Sequence, residues 1–320
     1  MHIYRHVQQA RRAALERWSK SSFYDRTIFG LAFGYVTLTG AYLVWHHNLV
    51  SPDQFFIIVL ILSVLLRRAK TFLWDWLPLV VLLFGYEYVR SLVPLINDHV
   101  YLQPMIDADR FLFGNVPTIA LQARFYTPDD PHWYDYAAVS LYLAHFIVPL
   151  GVAFLFWLQD RKMFRQYAAG ILILSYLAYF TYLVFPAAPP WLAAQSGLLP
   201  PVNRILAATF LSLRDPIYLP TVYQTLGVNP VAAVPSLHAA YPLLTAMFVG
   251  EKIPKLLPLL ALYVFSVWIA IVYLGEHYAC DALAGVVYAV AAYALVAYWP
   301  VIRRALAGRK TAVEQVSQEL

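Results

Sequence analysis

About eight largely apolar stretches follow one another between residues 27 and 298. Most are close to the ~20 residues that carry a helix across a bilayer. They run roughly over 27–44, 52–66, 71–96, 136–158, 167–185, 238–250, 256–274 and 278–298, the second and sixth being short. A chain built this way is expected to be all-α, a polytopic bundle of membrane helices. Composition agrees: 61% of residues are hydrophobic and 13% charged, against about 25% charged in soluble domains. A soluble enzyme with a single anchor is thereby excluded. The first stretch is too long, and has the wrong flank, for a cleaved signal peptide. The aromatic content of 16% suits two interfacial belts, and most tryptophans fall near expected helix ends, as at Trp45, Trp74, Trp133 and Trp299.

The basic residues lie in short blocks between alternate stretches. Arg5, Arg11, Arg12, Arg17, Lys20 and Arg26 precede the first. Arg67, Arg68 and Lys70 follow the second, Arg161, Lys162 and Arg165 the fourth, Lys252 and Lys255 the sixth, and Arg303, Arg304, Arg309 and Lys310 the last. Positive residues flank spans on the cytoplasmic side, so both termini are expected to be cytoplasmic. A net charge of +5 distributed in this way is no signal for nucleic acid. The sole cysteine, Cys280, leaves no internal disulfide. Three parts are expected: a basic amphipathic segment over 1–26 lying on the anionic leaflet, a membrane domain over 27–300, and a polar cytoplasmic tail over 301–320.

Two long loops face the other side. The loop 97–135 holds Asp98, Asp107, Asp109, Asp129, Asp130 and Asp135 against Arg110 and Arg124, and the loop 186–234 opens Pro186-Ala187-Ala188-Pro189-Pro190-Trp191. Their apolar and aromatic content argues for ordered structure, with short interfacial helices, for instance over 107–113, roofing a site. That face also receives Pro235-Ser236-Leu237-His238 at the start of the sixth stretch and Gly275-Glu276-His277-Tyr278-Ala279-Cys280-Asp281 at the start of the eighth. Ionisable groups at membrane depth are costly and usually functional. On a helix, His277 and Asp281 share a face. Two histidines and a carboxylate suffice for phosphoryl transfer through a histidine nucleophile.

These motifs resemble the second and third signatures of the type-2 phosphatidic acid phosphatase superfamily. Its members typically carry Pro-Ser-Gly-His and then Ser-Arg-x5-His-x3-Asp on a core of six membrane helices. The resemblance covers roughly 136–298, the catalytic core. Leu237 in place of Gly, and Phe-Pro-Ala-Ala-Pro-Pro-Trp upstream, look more like the inositol phosphorylceramide synthase branch than like simple lipid phosphatases. The resemblance implies His277 as nucleophile, Asp281 as the group that orients its ring, and His238 as the acid that protonates the leaving oxygen. It places phosphate near Ser236 and Leu237, at a helix N-terminus that favours anions, with Pro189, Pro190 and Trp191 beside the substrate. No cofactor and no metal are implied.

The family's clamp cations are missing. Ala270 and Ile271 stand where Ser-Arg is usual, Phe185 precedes Pro186, and Ala178 takes the lysine's place. Phosphoryl transfer leans on electrostatic clamps, so fewer cations favour a donor of lower charge, a phosphodiester. Arg204 and Arg214 are candidate replacements, and so is Arg90. The expected activity is transfer of a phosphoryl headgroup from a phospholipid donor to a hydroxylated lipid acceptor, at the non-cytoplasmic face of the bilayer. Alternatives are a phosphatase of the same core using water, and a non-enzymatic transporter or scaffold. The oligomeric state is open.

Other polar residues have plainer expectations. Either histidine alone would be an interfacial helix cap, and Arg204 and Arg214 would be solvated or lipid-headgroup contacts. His145 reads as a hydrogen-bonded core residue. Glu87 and Arg90 are spaced to pair. His46 and His47 lack a nearby carboxylate or cysteine and make a poor metal site. Asp107-Ala108-Asp109-Arg110 reads as a solvated turn rather than a cation site, and Glu276 is a weak candidate for activating an acceptor hydroxyl.

Overall fold

The structure, a computed structural model, describes residues 52–212 and 229–300. The expected first span, the basic segment 1–26, the tail 301–320, His46, His47 and Arg214 lie outside the described residues. Those residues hold twelve α-helices and one 3-10 turn, with isolated β-bridges and no strand. The chain divides into two compact units, Met1–Trp74 and Asp75–Leu320. In the first, α1 (Pro52–Leu65) is described, followed by the opening residues of α2 (Ala69–Ser91).

The second unit carries the site. Its frame is α6 (Trp133–Gln159), α7 (Arg161–Val184), α10 (Leu237–Lys252), α11 (Leu257–Tyr273) and α12 (Ala279–Ala297). The central helix α10 packs on the other four. Shorter helices cover one end: α3 (Val93–Ile96), α4 (Gln103–Phe113), α5 (Pro117–Phe125), α8 (Pro190–Gln195) and α9 (Ile205–Ser212). The expected roof helix over 107–113 is thus part of the longer α4. It starts at Gln103-Pro104, where proline suits the first turn, and stops at Gly114, whose φ of 73° fits the left-handed cap.

Among the described residues four helices are long and apolar enough to span a membrane, or five if the two halves of α6 are one span. The count of eight is therefore not reproduced among the described residues. The second expected span is a helix of 14 residues and the sixth one of 16, both short of the ~20 needed. The two halves of α6 meet at 45° between His145 and Ile147. Pro149 follows four residues after His145; it has no N–H to offer the His145 carbonyl, which is an ordinary cause of such a bend. Large side chains such as Phe180, Leu259, Leu262 and Val287 stay exposed on the helix surfaces. That is the outer surface of an integral membrane protein rather than of a soluble one.

Candidate functional site

The roofed end is stitched together by backbone. Tyr101 N–H donates to Pro186 O at 2.8 Å, Ala188 N–H to Tyr101 O at 3.0 Å, and Ala233 N–H to Ala187 O at 3.1 Å. The two long loops are thus joined, through the Pro186–Ala188 segment, to the residues that lead into Pro235. Tyr182 Oη, on α7, donates to Pro235 O at 2.7 Å. Ser236 caps α10: its Oγ accepts from Ala239 N–H at 3.3 Å, and its own N–H donates to Asp281 O at 3.1 Å. Leu237, the first residue of α10, is buried. The start of α10 and the start of α12 therefore meet at one point.

Glycine makes that approach possible. A Cβ on Gly285, one turn after Asp281, would lie 2.6 Å from the Ser236 carbonyl oxygen. Gly275 turns the chain from α11 toward His277 at φ 79°, with the Asn203 carbonyl 3.0 Å from any added Cβ. Gln122 fixes the same corner. Its Nε2 donates to Asn203 O and Tyr273 O at 2.9 Å, and its Oε1 accepts from Asn203 N–H at 2.8 Å.

His277 is 5% exposed and Asp281 fully buried. His277 Nδ1 lies 3.1 Å from Ala233 O and 3.5 Å from Asp281 Oδ2, and Nε2 lies 3.0 Å from His238 Nδ1. A carbonyl oxygen only accepts, so Nδ1 carries the proton. In the neutral ring Nε2 then presents its lone pair, and His238 Nδ1 is the donor toward it. Asp281 also caps α12, accepting from Tyr278 N–H at 2.8 Å through Oδ2. Its backbone holds α10 while its side chain holds His277.

Three further residues belong here that sequence reasoning gave other roles. His145 does bond within the core, Nδ1–H donating to Tyr142 O at 2.5 Å. Its ring centroid also lies 3.8 Å from that of His238, which stacks on the ring of Tyr142 at 4.2 Å as well. The only hint was Pro149 one turn on, and a helix period alone does not aim a kink. Asp109 is not in a solvated turn. It is fully buried on α4 and accepts from Cys280 N–H at 2.8 Å and Ala279 N–H at 3.3 Å. Burial pushes its carboxyl above the ordinary carboxylate range, and these donors oppose the shift. Asp135, also buried, accepts from Tyr273 Oη and from His132 N–H.

Beside the histidines sits a second cluster. Arg204 Nε donates to Glu276 Oε1 at 2.8 Å, and its guanidinium lies 4.6 Å above the Trp191 ring. Its side chain is 49% exposed, that of Glu276 8%. Trp191 N–H donates to Gly275 O at 3.3 Å, which holds α8 against the His277 turn. Pro189 caps α8 and Pro190 opens it. The positions matched to the clamp cations are apolar in place as well as in sequence. Ala178 and Ile271 are fully buried, Ala270 nearly so, and Phe185 stacks on Tyr101 at 4.1 Å. Glu87 and Arg90 pair at 2.7 Å as their spacing predicted.

An imidazole lone pair, a second imidazole N–H and a buried carboxylate lie side by side, an arrangement whose chemistry can supply a nucleophile, a proton donor and an orienting anion. The phosphoinositol dihydroceramide synthase of Bacteroides thetaiotaomicron is 26% identical over 219 residues, 66% of this chain and 72% of the relative. The inositol phosphorylceramide synthase catalytic subunit of Saccharomyces cerevisiae is 32% identical over 136 residues, 38% of this chain and 32% of the relative. No solved structure matches. A sequence model of the PAP2 superfamily matches residues 103–295, from the start of α4 through nearly all of α12. That stretch is more than half of the chain and contains every residue of both clusters, and by it the chain belongs to the PAP2 superfamily.

Proposed function

We propose that this integral membrane enzyme is a lipid phosphotransferase working through a phosphohistidine at His277. The observation that carries the reading is the part-buried line from His238 Nδ1 to His277 Nε2 at 3.0 Å, with Asp281 3.5 Å from the far ring nitrogen. The substrate phosphorus enters between the two rings. The His277 Nε2 lone pair attacks it, the bond to the diacylglycerol oxygen breaks, and His238, as the imidazolium, gives a proton to that oxygen and is left as the neutral imidazole. Asp281 and Ala233 O hold Nδ1–H as the ring gains positive charge. An acceptor hydroxyl then attacks phosphorus from the side the first lipid left. Its proton goes to His238, and the N–P bond breaks. Ser236 and Leu237, at the start of α10, border the phosphate.

Trp191, Glu276 and Arg204, with Pro189 and Pro190 behind them, form the donor's headgroup site. The relatives' names support an inositol-phosphate headgroup. One name carries phosphoinositol and the other inositol phosphoryl, and an inositol ring would offer Glu276 and Arg204 hydroxyls to bond. The same names suggest a ceramide-type hydroxyl as acceptor. Arg214 is a further headgroup candidate. The apolar replacements at Ala178, Phe185 and Ile271 favour a donor phosphate with one charge over a monoester with two.

The active site is read as non-cytoplasmic and both termini as cytoplasmic, on the strength of Arg161, Arg165 and Lys252 at the opposite end of the bundle. With Cys280 removed, a membrane-impermeant thiol reagent on intact cells should label Asp129→Cys and spare Lys162→Cys; the reverse pattern overturns the orientation. The activity itself is tested on purified protein supplied with defined phosphodiester donors and hydroxylated lipid acceptors, with products read by mass spectrometry. Headgroup transfer is the expected result, and its absence with every donor defeats the reading.

A further inference from the structure

The first turn of α12 offers backbone N–H groups that its own helix cannot pair. Two carboxylates divide them. Asp281, inside the helix, takes Tyr278 N–H at 2.8 Å. Asp109, 172 positions earlier in the chain by residue number, takes Ala279 N–H at 3.3 Å and Cys280 N–H at 2.8 Å, one with each oxygen. It reaches them from α4, a helix of the roof that packs on α12. Asp109 is 0% exposed.

We infer that Asp109 is a positioning residue for the phosphotransfer proposed above, the second anion of a two-carboxylate clamp that leaves Asp281 to serve His277. Two physical effects carry this. First, an unclaimed N–H at Ala279 or Cys280 would compete with His277 Nδ1–H for the Asp281 carboxylate, which lies within one turn of both. Asp109 removes that competition. Second, the N-terminus of α12 is a centre of partial positive charge, only two residues past a ring that must itself become cationic when it attacks phosphorus. A buried anion on that terminus offsets the repulsion at the moment of attack, in surroundings where charges act strongly. A plain helix cap would need no charge and no reach across the fold, since serine or asparagine would serve. The inference rests on the phosphohistidine reading, and it makes the roof part of the catalytic apparatus rather than a cover.

The test is a double-mutant cycle between Asp109 and Asp281, with turnover and melting temperature both measured. Asp109→Asn keeps an oxygen for Cys280 N–H and loses the charge. Its expected effect is a fall in kcat of about tenfold with KM unchanged. In an Asp281→Asn background the same change should cost clearly less, because the competition for the Asp281 carboxylate is already gone and only the offset of the helix charge remains. Equal losses in the two backgrounds, or a loss that follows melting temperature instead, overturn the inference. Should Asp109→Asn fail to fold, the pair Asp109→Glu and Asp109→Gln separates charge from shape. Glu should retain more turnover than Gln, and equal turnover overturns the charge role. A wild type with no turnover on any phosphodiester lipid removes the parent reading, and this inference with it. An active wild type with additive losses removes this inference alone.

Discussion

Asp160, Lys252, Arg161, Arg165 and Asp75 gather at one end of the second unit, and His238, His277, Asp281 and Asp109 at the other. At the first end Lys252 Nζ donates to Asp160 Oδ2 at 2.6 Å, while Arg161 and Arg165 each reach Asp75 at 3.5 Å. Most of these side chains are half open to their surroundings, and such solvated pairs contribute little to stability. At the second end His277, Asp281 and Asp109 are buried, and backbone from a distant part of the chain holds His277 and Asp109. Dehydration makes the second arrangement expensive, and it strengthens every interaction there. The contrast teaches where to look for chemistry. The solvated pairs suit a part that orients the protein, and the dry groups suit the chemistry proposed for them.

The sharpest way to break this contrast is to cut one residue at each end. His277→Ala should abolish turnover in a folded protein. His238→Ala should lower it at least ~10²–10⁴-fold, the usual worth of a general acid or base. Lys252→Ala should leave transfer intact. Wild-type rates in either well-folded histidine variant would sink the mechanism.

A second test uses the missing cations. Each absent charge-assisted contact is worth roughly 1.5–3 kcal/mol, so phosphatidic acid, a monoester, should be handled at least tenfold worse than a phosphodiester lipid given a hydroxylated acceptor. Vanadate, which mimics five-coordinate phosphorus, should inhibit both reactions. If phosphatidic acid is the best substrate and needs no acceptor, the enzyme is a phosphatase instead.

Packing offers a third. Gly285→Ala would press a methyl to within 2.6 Å of the Ser236 carbonyl. That contact is with backbone, so the start of α10 must move away from α12. Overpacking of this kind costs roughly 1–3 kcal/mol, and here it also parts His238 from His277. Turnover should fall about tenfold or more and melting temperature should drop with it. A fully active Gly285→Ala would show that the 3.0 Å histidine contact is not needed in that form.

The reactive end was legible in sequence as far as local spacing reaches. His277 and Asp281 share a helix face because they are four residues apart. His238 could be placed beside them because two helix starts were expected on one membrane face. What brings Ala233 O, Asp109 and His145 to the same point is different in kind. The first depends on a bridge through Ala187, the second on a contact between helices far apart in the chain, and the third on the direction of a bend. None leaves a periodic trace. Asp109 was hidden by its neighbours, since Asp107 and Arg110 give the segment the look of a solvated turn. The number of spans is less legible for a related reason: apolar runs mark where helices lie, but not whether helices as short as α1 and α10 cross by themselves.

The smallest predicted effect belongs to the solvated end and concerns acid. The Asp160 carboxyl is held below the usual carboxylate range, first by the Lys252 ammonium and then by N–H groups at the start of α7, chiefly that of Met163. Oδ1 accepts from both Lys162 N–H and Met163 N–H at 3.1 Å. A carboxyl whose pKa is lower folded than unfolded adds stability that is complete above its unfolded value, ~3.9. That stability is lost as pH falls through the folded value, because the unfolded chain then binds the proton first. Wild type should therefore lose melting temperature more steeply than Asp160→Asn as pH drops from about 5 to about 3. Asparagine still caps α7 but has no charge to lose. The difference should be slight, since the pair is open to solvent and screened by salt, and it should shrink further in 1 M salt. Transfer at neutral pH should be the same in both proteins. A large acid-dependent loss of turnover on changing Asp160 would mean that the two ends of the bundle are coupled, and that the solvated end does more than orient the protein.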